Sequence, residues 1–554
     1  MRVKTTGRLF AETLKGHGVT HMFYVPAFFL TATAEMKDAS ITRVVTHHEV
    51  AAAYMADGYA RASHRPGVCM AQQVGAANMA AGLRDAYLAG SPVIAVTGGV
   101  HPDSRYQYLY QMIEDFPMYG PVTKFNARIE KPSRLPDLLR QAFREATTGT
   151  PGPVHLEMPG RMGEVAEGEG DFEVVVEQQY SHIPPYRPEP DMSDVKKAAR
   201  VLAAAERPVI VVGGGVITSG ATSEVVKLAE KLQIPVTFSP TGKGSIAEDH
   251  PLAIGMVGSY GRQAVNQLVR EADLVFFVGS RAGDMTTDHY TTPRVGTPVI
   301  QLDINPAETG RIYPVKVALV GDARVTLARL IEAVEPGAGR WAAWLQRGQE
   351  LLRKWRAEVE PMARSDASPI RPERLCREIG EFLPADSVVV ADTGHSTIWS
   401  GTMIELTKPG QRYIRCMGTL GWSFSGSLGV KCALPDKPVL CFTGDGGFYY
   451  HMAELETAAR FGISTVVVVN NNSALSQVKG ALYVGQDAAH WGKAEEVYAF
   501  GSTNFAQVAK DLGCAGIRVE KASQIRPALE EAFAANRPAV VDVVTDMDAM
   551  PPWS

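Results

Sequence analysis

The stretch Lys437–Ala474, "KPVLCFTGDGGFYYHMAELETAARFGISTVVVVNNNSA", decides how this chain folds. "PVLCF" reads as a buried strand and "GDGG" as the turn leaving its C-terminal end. "HMAELETAARFG" puts Met452, Leu455, Ala458 and Ala459 at helical spacing, with Gly462 as the C-cap. "ISTVVVV" is the next strand, and "NNNSA" stands at its end. Two strands joined by a helix run parallel, so Asp445 and the asparagines are expected on one rim. A glycine turn at a helix start lets backbone N–H groups approach an anion. Mg²⁺ takes hard oxygen ligands together with phosphate oxygens and water. One carboxylate, one amide oxygen and one backbone carbonyl would complete such a site around a diphosphate. A GDG turn alone is also an ordinary strand–helix connection, and asparagines often end strands.

The same alternation runs through the chain in "SPVIAVTGG", "RPVIVVGGG", "ADLVFFVGS", "PVIQLDI" and "PAVVDVVTD". It predicts an α/β protein of three doubly wound parallel-sheet domains, with sites at the strand C-termini. A Glu-, Gly- and Pro-rich stretch at about 165–192 reads as a crossing linker. A second break at about 335–368 carries one charged helix between polar ends. The expected domains are 1–165, 192–335 and 368–550. Hydrophobic residues at 45% and charged residues at 21% are ordinary for a globular protein, and a net charge of -5 without long runs argues against nucleic acid or anionic membranes. Apolar runs are strand-sized, too short for a membrane span, and the N-terminus has no signal-peptide core. Cys69, Cys376, Cys416, Cys432, Cys441 and Cys514 have no metal-ligand spacing and read as reduced, buried thiols, so a cytoplasmic location is expected.

"GDG", 24 intervening residues and "NN" (Gly444–Gly446, then Asn471 and Asn472) resembles the signature of thiamine diphosphate enzymes. "AELETAARFG" resembles a helix of their acetolactate synthase-like branch, which includes pyruvate oxidase and benzoylformate decarboxylase types. The resemblance implies that Gly444, Asp445, Gly446 and Gly447 contact the diphosphate. It implies that Asp445, the Asn472 side chain and the Ala474 carbonyl hold Mg²⁺. "DTGHSTIW" (Asp392–Trp399) resembles the diphosphate loop, making Ser396 and Thr397 contacts. "MGTLGWSFSGSLGVKCALPDKPV" resembles the segment holding the aminopyrimidine through Gly418 and Thr419. Leu420 falls at the apolar wedge that bends the cofactor, although a core leucine would read the same.

The other half of the cofactor needs a carboxylic acid beside the pyrimidine N1′, favouring the imino tautomer whose N4′ can deprotonate C2 of the thiazolium. "THHEVAAAYMADGYARAS" offers Glu49 between a strand and a helix expected over Val50–Arg61. Thr46-x-x-Glu49 is also a capping box. The segment resembles the family's pyrimidine-domain motif, in which Glu49 is the activating residue. His47 and His48 read either as pocket acid–base groups or as structural histidines. By the same resemblance Gln111 is a pocket glutamine, Lys124 lies in a "TK" pair, and Gly75 and Asn78 form a cofactor turn, with Val74 replacing a proline. "YVPAFF" replaces a "VPGG" turn, keeping Pro26 as a cofactor contact and pointing Phe28 into the acceptor side of the pocket. Tyr483 and Trp491 read either as an aromatic substrate wall or as part of a solvated lid.

"RPVIVVGGGVITSGATSEVV" and "VGSRAGDMTTD" resemble the middle domain of this branch, which holds FAD, another nucleotide or nothing. Arg281 matches a family arginine, while Ala282, Gly283 and Tyr260 depart from the pattern. The implied reaction is decarboxylation of a small 2-oxo acid with C–C bond formation, as in acetolactate synthase. The alternatives are a non-ligating decarboxylase, an acyloin lyase on a bulkier substrate, and a flavin-dependent 2-oxo acid oxidase. A catalytically dead relative is the non-enzymatic reading, which the retained Glu49, Asp445 and Asn472 oppose. The family also implies a homo-oligomer, a dimer or tetramer, with sites between chains.

Overall fold

The structure is a computed structural model that describes residues 1–485 and 495–551. It contains three six-stranded sheets in which every adjacent pair of strands is parallel. The first sheet runs Thr42–Val45, His21–Tyr24, Gly67–Ala71, Val93–Gly99, Val154–Pro159, Phe125–Arg128. The third runs Arg412–Arg415, Val388–Ala391, Val439–Gly444, Val466–Asn471, Ala539–Val544, Ala515–Val519. Numbered within each domain, both have the order 2-1-3-4-6-5, so two segments without visible sequence repetition share one topology. The middle sheet runs Ala253–Met256, Val236–Phe238, Pro208–Val212, Leu274–Val278, Val299–Asp303, Val317–Val320. Its order, 3-2-1-4-5-6, is that of dinucleotide-binding folds, with a crevice where the order reverses.

Helices cover both faces of these sheets, which explains why the strands are apolar throughout rather than alternating. Val209–Val212, Val388–Ala391 and Val466–Val469 are buried on both sides. The expected linker is partly ordered: Glu169–Glu173 pairs antiparallel with Arg2–Thr5 and ties the N-terminus down. The charged segment forms the helix Ala342–Ala363, whose Trp344, Leu351, Leu352 and Trp355 pack into the middle-domain core. Among the described residues no helix is long and apolar enough to cross a membrane.

The first and third domains are held together by two helices, Glu49–Ser63 and Trp422–Ala433. Six alanines in the first, and Ser423, Ser425, Gly426, Ser427 and Gly429 in the second, let the backbones approach closely. A Cβ on Gly58 would lie 2.0 Å from the Gly426 carbonyl oxygen, and one on Gly429 would lie 1.9 Å from that of Met55. Around this contact Arg61 pairs with Asp57 and Asp85, at 2.5 and 2.7 Å. The Trp422 indole donates to Asp57 at 2.9 Å, and Asp85 accepts from the Met417 amide at 2.8 Å. The middle domain joins the third through Arg262, which donates to the Thr402 carbonyl at 2.6 Å and lies 4.2 Å over the Trp355 ring.

Because a backbone oxygen cannot move aside as a side chain can, Gly58→Ala is expected to cost about 1–3 kcal/mol in denaturant unfolding. An alanine at Gly120, whose added Cβ would meet nothing within 4 Å, is the control expected to change little.

Candidate active site

The two strands of the opening stretch pair in parallel, with Gly444 opposite Asn470. The helix between them is split: Asp445–Phe448 forms one turn, and Glu454–Phe461 a second helix ending at Gly462, whose φ of +63° is the left-handed cap its glycine permits. Strand alternation separates the asparagines. Asn471 turns away, donating to Asp542 at 2.8 Å and to the Thr503 carbonyl at 3.0 Å. The Asn472 side-chain oxygen accepts from the Ala474 amide at 3.2 Å, and that amide also reaches Asp445 Oδ2 at 3.2 Å. Ser473, at φ +56°, makes the turn that closes this group.

Asp445 is 2% exposed, and burial pushes its pKa up to about 7, while the backbone N–H groups of Gly446, Ser473, Ala474 and Asn472 work in the opposite direction. A carboxylate in that position, with an amide oxygen alongside it, is a donor set that suits a hard cation. No cluster of three or more His, Cys, Asp or Glu that could hold a metal ion exists among the described residues. The protein thus supplies one anionic ligand, which fits a cation that arrives with a diphosphate.

Across the rim, a Cβ on Gly444 would lie 3.4 Å from the Ser396 hydroxyl, so the two predicted diphosphate contacts face each other. Thr397 is turned inward, its hydroxyl donating to the Asp392 carbonyl. The Asp392 carboxylate organises this edge in a way the sequence did not reveal. Fully buried, it accepts from the amides of Thr393, Gly421 and Ser423 and from the Ser423 hydroxyl at 2.6 Å. Gly447 packs against it, since a Cβ there would lie 3.1 Å from the carboxylate carbon. Gly418 has φ +117° with open space around it, and Thr419 is half-buried. Leu420 is not a core leucine: it is half-buried and lines a shallow pocket with Gly446, Tyr449, Tyr450, Leu475 and Phe500.

Glu49 is the first residue of its helix, one position earlier than expected. The capping box does not form. His48 is the N-cap, its ring nitrogen accepting from the Val50 amide at 3.1 Å, while the Thr46 hydroxyl donates to the His48 carbonyl. This releases the Glu49 side chain, which is 9% exposed and accepts from Asn78 Nδ2 at 3.1 Å. A Cβ on Gly75 would lie 2.4 Å from Glu49 Oε1, so the bare glycine lets the carboxylate rest in this position. Glu49, Gly75 and Asn78 thus come together. Lys124 does not join them: its ammonium donates to the carbonyls of Glu145, Thr148 and Thr150 at the end of a helix.

The loop before Glu49 is clamped by the opening stretch itself. Buried Glu454 accepts from the His47 amide at 3.0 Å, and Glu456 bonds the His47 ring at 2.8 Å. His47 and His48 therefore have structural duties.

Phe28 does not point into a pocket; it is fully buried in the first-domain core beside Phe29, because Ala27 and Phe29 adopt φ of +72° and +45° and turn the chain inward. Pro26 stays exposed at this turn. Gln111 is half-buried at φ +66° on a loop whose Tyr106, Tyr108 and Tyr110 are exposed, and it makes no hydrogen bond to Glu49. Trp491 and the Tyr483 side chain lie outside the described residues.

None of the hydrogen bonds of Glu49 reaches Asp445 or Asn472, and no first-domain residue lines the pocket at Leu420. In the middle domain a cleft of about 360 Å³ opens at the strand-order reversal, lined by Gly213, Gly214, Gly215, Asp303 and Asp322. Arg281 lies at its edge and donates to the Leu88 carbonyl at 3.0 Å.

Sequence models of three thiamine pyrophosphate enzyme domains match the chain: the N-terminal TPP binding domain at residues 4–118, the central domain at 195–330 and the C-terminal TPP binding domain at 392–543. The chain belongs to the thiamine pyrophosphate (thiamine diphosphate) enzyme family. It is 35% identical to a probable acetolactate synthase large subunit of Methanocaldococcus jannaschii, over 98% of this chain and 92% of that protein. It is 32% identical to the acetolactate synthase large subunit of Corynebacterium glutamicum, over 92% and 81%. It is 28% identical to the acetolactate synthase isozyme 3 large subunit of Escherichia coli, over 99% and 96%.

A raised Asp445 pKa means that a proton competes with a cation below about pH 7. Mg²⁺ titrated into the protein with thiamine diphosphate is expected to bind up to about tenfold more weakly per pH unit below 7 and to level off above it. Asp445→Asn is expected to flatten that profile.

Proposed function

We propose that this chain is a thiamine diphosphate- and Mg²⁺-dependent enzyme that decarboxylates a small 2-oxo acid and forms a C–C bond, as an acetolactate synthase does. The observation that carries this reading is the lodging of Glu49: a buried carboxylate, held by Asn78 and packed directly against Gly75. The likeness to acetolactate synthase large subunits over nearly the whole chain supports the choice of reaction.

When bound, the cofactor supplies the carbon that adds to the 2-oxo acid and holds the electrons left by CO₂. The chain's own residues have separate tasks. Glu49 shares a proton with the pyrimidine nitrogen. Asp445, Asn472 and the Ala474 carbonyl hold Mg²⁺ together with diphosphate oxygens. Ser396, Thr397, Gly444, Gly446 and Gly447 shape the diphosphate rim, with Thr397 acting through the loop backbone. Gly418, Thr419 and Leu420 support the aminopyrimidine, with Gly75, Asn78 and Pro26 on the opposite side. Gln111 belongs on the substrate side once a second chain covers its loop.

A homo-oligomer with sites between chains is part of the proposal, supported by the finding that among the described residues no hydrogen bond of Glu49 reaches Asp445 or Asn472. The middle-domain cleft is proposed to hold a nucleotide. If it is FAD, the purified protein is yellow, and flavin bleached by substrate would favour the oxidase alternative.

Incubation with pyruvate, thiamine diphosphate and Mg²⁺ is expected to yield acetolactate, identified by mass spectrometry. Free aldehyde alone would favour the non-ligating decarboxylase, and turnover of bulkier 2-oxo acids alone the lyase on a larger substrate. Glu49→Gln is expected to lower kcat by at least about 100-fold, the low end for loss of acid–base help, while thiamine diphosphate still binds. Unchanged turnover would refute the assignment.

A further inference from the structure

A second cavity, of about 110 Å³, opens beside the middle-domain cleft where all three domains meet. Arg61 and His64 come from the first domain, Lys243 from the middle domain, and Arg412 and Arg415 from the third. No aspartate or glutamate stands among the residues that line it.

The cations differ in how they are balanced. Arg61 is paired with Asp57 and Asp85, and Lys243 with Glu248. Arg412 donates only to backbone carbonyls, those of Ala62 at 2.9 Å and Arg61 at 3.1 Å. Arg415 has less. It is 6% exposed, its Nε has no hydrogen-bond partner, and its guanidinium meets neither a carboxylate nor another acceptor among the described residues. Its one charged-group contact is the Tyr260 ring, 5.9 Å away, at the outer limit of cation–π attraction. Buried guanidinium groups are normally paired, because burying an isolated charge is costly. His64 is held neutral, its pKa lowered to about 4 by burial and then by the Arg412 charge, so it adds a polar ring without a further cation. Thr218, Thr241 and Gln411 add polar groups around the cavity.

We propose that Arg415, with Arg412, binds a phosphoryl group in this three-domain cavity. The guanidinium fork suits two oxyanion oxygens at once. The volume is small for a whole nucleotide, yet the cavity shares Gly90, Gly214, Thr218, Thr241 and Met417 with the larger cleft. The phosphoryl group therefore comes either from inorganic phosphate or from a nucleotide whose remainder lies in that cleft. Bound there, it ties the Arg412–Arg415 strand to the end of the Glu49–Ser63 helix and to the middle domain.

The test uses the full-length protein saturated with thiamine diphosphate and Mg²⁺, so that the diphosphate rim is filled. Inorganic phosphate is titrated calorimetrically at constant ionic strength against a chloride control, then AMP and ADP. Phosphate binding weakened at least tenfold by Arg415→Gln supports the site with the free ion as source. Nucleotide binding weakened to the same degree, without binding of phosphate alone, supports it with a nucleotide as source. In phosphate-free buffer Arg415→Gln is expected to melt at or above the wild-type temperature, since it removes an unpaired buried charge. A purely structural arginine would make the variant melt lower. Should Arg415→Gln fail to fold, Arg415→Lys, which keeps the charge and loses the fork, is expected to show the weakened binding. No phosphoryl binding by the wild type, or equal binding by the variants, overturns the proposal.

Discussion

The contact on which the rest depends is the clasp between the helices Glu49–Ser63 and Trp422–Ala433. Two backbones meet there at glycine distance, with Gly58 on Gly426 and Gly429 on Met55. Interiors are packed as densely as organic crystals, so such a contact has little freedom to slide. Each helix begins where a functional turn ends: Glu49 opens the first, and the Gly418–Gly421 turn leads into the second. Fixing the helices thus fixes both turns. The buried Asp57–Arg61–Asp85 group surrounds the clasp, and breaking such a group from one side leaves an uncompensated charge. The arrangement is held from both the apolar and the charged side.

A second device ties function to fold. The Glu454–Phe461 helix of the third domain holds the His47 amide of the first, a bond spanning 407 residues of sequence. The stretch that carries the Asp445 rim therefore also steadies the loop of Glu49 from its own chain. Both regions are thus braced within one chain, while among the described residues no hydrogen bond joins Glu49 to Asp445 or Asn472.

Much of this was legible in residue order. Parallel strands, their shared rim and the Gly462 cap follow from periodicity and glycine placement. The resemblance in "THHEVAAAYMADGYARAS" located Glu49, but the sequence left its side chain divided between a cap and a cofactor. The choice is made by His48, which takes the cap, and by Gly75 and Asn78, which lie more than 25 residues away. Phe28 is turned into the core by the positive φ of Ala27 and Phe29, which has no signature in hydrophobicity. The separate duties of Asn471 and Asn472 rest on strand alternation together with Asp542, which meets Asn471 from a strand far along the chain. Asp392 and Glu454 gave little local signal, since the fold brings in Gly421 and Ser423 for the first and the His47 amide for the second.

The central claim is that Glu49 of one chain and the Asp445 rim of another serve the same cofactor. Refolding Glu49→Gln and Asp445→Asn proteins together tests it most directly, because a mixed dimer with sites between chains contains one intact site. Activity rising to about a quarter of wild type, the value for random pairing, is the predicted result. A mixture as inactive as its two components, with mixed dimers demonstrably formed, would contradict the account.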